Sequence, residues 1–133
     1  MAKIILYHDP KSSVSRAALV YLEQQRYQVK VVRYLEQPLT VGKLSSIVQR
    51  LALPAVQLVN QELLAKIKMP YERLVQLPDE QIINLIAEHP QLLAYPILVV
   101  DKEAVLATSQ QNMLRILPMR VYEYSNKVIL LSY

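Results

Sequence analysis

The chain has 133 residues, of which 53% are hydrophobic and 20% charged, enough for one compact domain with a sizeable core. It contains no cysteine, so its own side chains can form neither a disulfide nor a thiolate metal site. The formal charge of +4 is scattered along the chain without a basic block, which leaves an acidic partner open but predicts no strong direct binding to nucleic acid. Residues 3–7 (Lys-Ile-Ile-Leu-Tyr) predict a short buried strand, and His8-Asp9-Pro10-Lys11 turns the chain. Ser12 or Ser13 then caps a helix with Val14, Ala17, Ala18, Tyr21 and Leu22 as its apolar stripe. Residues 29–34 read as a second strand, completing a strand–helix–strand unit suited to parallel pairing.

After Gln37-Pro38 the pattern becomes helical. Thr40 starts a helix to about Leu51, and Pro54 begins a further helical piece over residues 55–68. Leu77-Pro78-Asp79 opens another helix, which ends at His89-Pro90. This block carries no strand signal. Tyr95-Pro96 then leads into a buried strand, Ile97-Leu98-Val99-Val100, and Asp101-Lys102 turns it back into a hairpin over 104–107. Ser109 caps a last helix to about Leu117. The tail, 121–133, predicts one or two strands about Ser125-Asn126, which either pack onto their own subunit or pair between two copies as a homodimer. The single glycine, Gly42, excludes glycine-rich phosphate loops. Tyrosine, present nine times without Phe or Trp, supplies the aromatic share of the core. No apolar run approaches the ~20 residues of a membrane-spanning helix. The opening residues are broken too soon for a secretory signal, so a soluble cytoplasmic protein is expected.

The stretch Tyr7-His8-Asp9-Pro10-Lys11-Ser12-Ser13-Val14-Ser15-Arg16 resembles the active-site loop of the ArsC (arsenate reductase) family, whose pattern is His-Asn-Pro-x-Cys-Ser-x-Ser-Arg. The related Spx regulators carry Cys-x-x-Cys in this loop. Further likeness falls at Glu36-Gln37-Pro38-Leu39-Thr40, Glu88-His89-Pro90-Gln91-Leu92-Leu93, Tyr95-Pro96-Ile97 and Leu114-Arg115-Ile116-Leu117-Pro118, covering about residues 3–121. The resemblance implies an α/β fold: a thioredoxin-like core (βαβ plus ββα, mixed sheet) from residues 1–36 and 91–120. It implies a helical insertion over 37–90, an extension over 121–133, and a cis bond at Tyr95-Pro96 beside the loop.

It also implies a lost chemistry. Ser12 stands where the reductases carry the nucleophilic cysteine, and Ser15 where Spx has its second one. A serine hydroxyl is not ionised near neutral pH without a positioned base, so the thiolate route is closed. The family's oxyanion-binding arginines fall, in the best register, at Val59 or Asn60, at Tyr95 and near Thr108, all neutral here. No catalytic residue is therefore expected. A Ser12–His8 hydrolytic pair would need an orienting group and an oxyanion hole. The simpler reading has Ser12 and Ser13 capping the helix, His8 bonding the loop backbone and His89 capping a helix C-terminus. The N–H groups of Ser13–Ser15 with Arg16 form either an anion-binding remnant or a solvated helix start. No metal and no cofactor are expected.

The expected function is that of a non-catalytic, Spx-type interaction protein in transcription or stress regulation. Its candidate partner is the C-terminal domain of the RNA polymerase α subunit. Against that contact, residues 51–56 differ from the Spx pattern, and Ala94 and Tyr95 stand where Spx has arginines. The alternative is an arsenate reductase-like oxidoreductase drawing its sulfur from glutathione and glutaredoxin.

Overall fold

The computed structural model describes residues 2–118 and, beyond them, the backbone of two strands. β1 (Ile4–His8) turns into α1 (Ser13–Gln24), which returns the chain to β2 (Lys30–Arg33). β1 and β2 pair in parallel with His8 opposite Arg33. β3 (Ile97–Val100) lies antiparallel to β1, and β4 (Glu103–Leu106) antiparallel to β3, so the sheet is mixed with the order β2-β1-β3-β4. The second strand is shorter than its apolar run. Tyr34 leaves it because its ring is buried, with the hydroxyl donating to the Leu93 carbonyl at 3.1 Å.

Between β2 and β3 lie α2 (Val41–Leu51), α3 (Tyr71–Leu74) and α4 (Asp79–Glu88), with 3-10 segments at Ala55–Leu58, Gln61–Ile67 and Pro90–Leu92. Thr40 caps α2 by accepting the Lys43 N–H at 3.1 Å, and Asp79 and Glu80 sit in the first turn of α4. His89 caps the other end of α4, its N–H donating to the Leu85 carbonyl. Two expectations fail here. Residues 55–68 do not form one helical piece, and the insertion is not free of strand pairing. Both failures have one cause: Val59 is extended and bridges Leu93 in antiparallel fashion. The Asn60 N–H donates to the Leu92 carbonyl at 2.7 Å, and the Ala94 N–H to the Leu58 carbonyl at 2.8 Å. These bonds satisfy backbone groups that a continuous helix would have used internally.

Alternation along the strands fills both faces of the sheet. Tyr7, Ile97 and Val99 pack with Leu44, Ile47, Leu58, Leu74, Ile82 and Ile86 of the insertion. Ile4, Leu6, Leu98 and Val100 pack with Ala18, Leu22 and Met113. The buried face of α1 carries Ser15, Ala18, Tyr21 and Leu22; Val14, expected on the apolar stripe, is 41% exposed. α5 (Gln110–Leu114) is capped by Ser109 and gives way to a turn before Leu117, where the sequence pattern would have carried it on.

β5 (Arg120–Tyr124) and β6 (Lys127–Leu131) form an antiparallel pair in a sheet of their own; the turn expected at Ser125-Asn126 lies outside the described residues. What the side chains of this tail pack against, in its own subunit or another, lies outside the described residues. Among the described residues, no helix is long and apolar enough to cross a membrane.

Leu98 is fully buried opposite Leu6, whereas Val31 on the outer strand is 39% exposed. Leu98→Ala is expected to cost about 2–5 kcal/mol in urea denaturation. Val31→Ala should stay within about 0.5 kcal/mol.

Candidate functional site

The chain leaves β1 at His8, and the Pro10-Lys11 turn delivers it to α1. Ser12 is the N-cap: its backbone is extended and its Oγ accepts the Ser15 N–H at 3.2 Å. The Ser12 N–H donates to the Asp9 carbonyl at 3.0 Å, and the Asp9 carboxylate accepts the Lys11 N–H at 3.0 Å. Arg16, one turn into the helix, reaches back to donate from Nη1 to the Pro10 carbonyl at 3.0 Å. Its guanidinium thus braces the loop from outside.

The buried centre of the loop is His8 with Ser15. His8 Nδ1 lies 2.6 Å from Ser15 Oγ, and both residues are closed off from solvent. Ser15 Oγ also accepts the Asp9 N–H at 3.0 Å. Ser15 Oγ thus holds two partners at once, the His8 ring and the Asp9 N–H. Burial pushes the His8 pKa below its ordinary value; Asp9 opposes the shift, and Arg33 and Arg16 reinforce it. His8 therefore bonds a side chain, not the loop backbone as expected. It is also not paired with Ser12, which removes the hydrolytic dyad: Ser12 Oγ faces the helix N-terminus and His8 faces Ser15.

Neutral residues occupy the positions where the resemblance would place cations. Asn60 Oδ1 caps the Gln61–Ile67 segment by accepting the Glu62 N–H at 3.1 Å. Thr108 Oγ1 accepts from Asn112 Nδ2 at 3.2 Å. Tyr95 is 39% exposed. The fold brings Val59 and Asn60 beside the Leu92–Ala94 backbone, one residue short of Tyr95. Thr108 lines a cleft of ≈ 420 Å³ with Ser13, Val14, Ala17 and Gln110 at the start of α1.

The Tyr95-Pro96 bond is trans, since no cis peptide occurs among the described residues; this overturns the cis expectation and matches the general preference of X-Pro bonds. Pro96 is buried, and its carbonyl accepts the Ala107 N–H at 2.8 Å. Among the described residues, no three His, Asp or Glu side chains converge as a metal site.

Sequence reasoning missed two residues. One is Tyr34, whose pKa is pushed up to about 12 by burial and then by Asp9, and whose hydroxyl fastens the end of β2 to Leu93. Nothing in its local pattern marks that bond. The other is the burial of Ser15, which was legible: it lies three residues before Ala18 and seven before Leu22, on the inner stripe of α1.

A four-stranded mixed sheet with helices on both faces and a capped loop between the first strand and first helix defines the thioredoxin-like class. Within that class the chain belongs to the ArsC family, whose model matches residues 7–116. It is 30% identical over 115 residues to an arsenate reductase of Neisseria meningitidis, covering 84% of this chain and 96% of that protein. It is 31% identical over 122 residues to one from Yersinia enterocolitica, covering 89% and 83%. A solved arsenate reductase from Vibrio cholerae superimposes with a TM-score of 0.76 at 33% identity, covering 86% of this chain and 98% of that one.

Two outcomes follow from the loop geometry. Ser15→Ala removes two bonds from a buried centre and should cost roughly 1–3 kcal/mol, more than the cap lost in Ser12→Ala; chemical denaturation of both variants compares them. The lowered pKa of His8 means that the unfolded chain takes up the proton first. Neutral His8 then contributes in full above the unfolded value of about 6.5, and that contribution is lost as pH falls below it. Between about pH 7.5 and 5, the native chain should lose more stability than His8→Gln does; equal losses would refute the assignment.

Proposed function

We propose that this ArsC-family chain performs no thiol-based reduction itself and acts as a protein-interaction module of the Spx type. The C-terminal domain of the RNA polymerase α subunit is its candidate partner. The carrying observation is how the loop hydroxyls are used. Ser12 Oγ is the cap acceptor of α1, and Ser15 Oγ is held between His8 and the Asp9 N–H. Ser12 has no base beside it, and Ser15, although bonded to the His8 ring, is fully buried and closed to a substrate. With no cysteine in the chain, the electron pair that reduces an oxyanion has no source among its side chains. Asn60, Tyr95 and Thr108 offer no positive charge to a developing oxyanion.

A second reading is supported by the relatives' names. The chain would retain arsenate handling, with glutathione and glutaredoxin supplying both thiols. Arg16 and the start of α1 would then hold the anion.

One pair of assays separates the two. With glutathione and glutaredoxin present, arsenate reduction should not exceed background, and Ser12→Ala should change nothing. Turnover above background that vanishes in Ser12→Ala would establish the second reading. In parallel, titration with the isolated α C-terminal domain should show binding, and none at high micromolar concentration would remove that partner.

A further inference from the structure

The four-stranded sheet has one edge at β2 and the other at β4. A groove of ≈ 530 Å³ follows the β4 edge. The whole strand lines it, with the C-terminal end of α2 on one side and the end of α5 on the other. Strand polarity can be read from two bonds. The Ala107 N–H donates to the Pro96 carbonyl, so residue 107 faces β3. In an antiparallel ladder neighbours alternate, which turns the backbone groups of Leu106 and Ala104 away from β3. The Leu106 carbonyl accordingly accepts from a group outside the sheet, Asn112 Nδ2, at 3.2 Å. The N–H of Leu106 and both backbone groups of Ala104 thus point along the groove, the arrangement that templates an added strand.

The groove also has a composition. Half-buried Leu51, Leu53, Leu106 and Ile116 provide apolar contact between the backbone groups. Arg50, Lys102 and Arg115 stand around the rim, with Glu103 as the carboxylate among the lining residues. The Asp101 carboxylate nearby is engaged by the Lys3 N–H at 2.8 Å, while Arg50 Nη1 donates to the Asp101 carbonyl at 3.3 Å and keeps its charge.

We propose that the β4 edge receives an extended acidic segment of a partner protein, which adds a fifth strand to the sheet. Its backbone would bond to Ala104 and Leu106, and its carboxylates would meet Arg50, Lys102 and Arg115. Charge decides between occupants. A second copy of this chain would set the same three cations against their equivalents, whereas an acidic strand neutralises them. No residue of the His8–Arg16 loop takes part, so the inference goes beyond the proposed function and stands whether or not the loop carries chemistry.

The probe is a blocked, fluorescein-labelled peptide of about eight residues repeating Glu-Glu-Val-Val, so that both faces of the strand carry carboxylates, titrated into the full chain at low salt and followed by anisotropy and amide NMR. Binding should shift the Ala104 and Leu106 amides most and weaken as salt rises. Lys102→Glu with Arg115→Glu should weaken it by roughly tenfold or more. Both substitutions are on exposed residues, so the fold is kept. A peptide N-methylated at alternate residues, which needs no change in the protein, should lose binding when the methyls lie on its pairing edge. The proposal fails if the acidic peptide does not bind, if a Lys-for-Glu peptide binds as well, or if N-methylation on either edge has no effect. It also fails if light scattering shows self-association that protects the Ala104 and Leu106 amides in the free chain.

Discussion

The buried hydrogen bond between His8 and Ser15 ties the last residue of β1 to the first turn of α1, and the shape of the whole loop depends on it. Because Ser15 also holds the Asp9 N–H, the chain is drawn tight immediately after the strand. That closure puts Ser12 at the N-cap and leaves its hydroxyl on the Ser15 N–H. Arg16 then closes the outside of the turn on Pro10. Ser12, Ser15 and Arg16 each find their partners within nine residues. A buried polar centre of this kind is stable only when satisfied, because an unpaired donor or acceptor there would carry its full desolvation penalty.

The same bonds commit both loop serines, Ser12 and Ser15, to holding the turn. In thioredoxin-like proteins a helix N-terminus lowers the pKa of a thiol placed on it. Here the helix N-terminus is present, but a serine oxygen occupies the position, and a hydroxyl lies too far from ionisation for a dipole to free it. Asn60 and Thr108 are bound into local hydrogen bonds of their own. The scaffold of the ArsC family is present, and in it Ser12, Asn60 and Thr108 serve as acceptors in caps and turns.

The insertion is part of the sheet's support rather than a separate body. Its helices cover the face that displays Tyr7, Ile97 and Val99, and its extended piece at Val59 bridges to Leu93 just ahead of β3. The Tyr34 hydroxyl reaches the carbonyl of the same Leu93 from the end of β2. Two chain segments far apart in sequence thus hold the approach to Tyr95-Pro96. The opposite face relies on α1 and α5, so among the described residues the sheet is shielded on both faces and has no further strand paired to β2 or β4.

The strands, the order of the helices and the caps at Ser12, Thr40 and Ser109 were legible from periodicity and capping residues, because those signals are local. The family was legible because the loop and the later segments match it in the right order. Local signals could not decide the break at Val59, where pairing with Leu93 outweighs helix propensity, or the end of β2, where the burial of Tyr34 does. They could not choose the partner of His8 either: Ser12 is nearer in sequence, yet α1 turns Ser15 inward with Ala18 and Leu22. The absence of cysteine, and with it of thiolate chemistry, was determined by the sequence alone, since composition cannot be altered by folding. Which hydroxyl is buried, which carbonyl each donor finds and which strand edge stays open were decided only by tertiary packing, because burial and hydrogen bonding are properties of neighbours brought together in space.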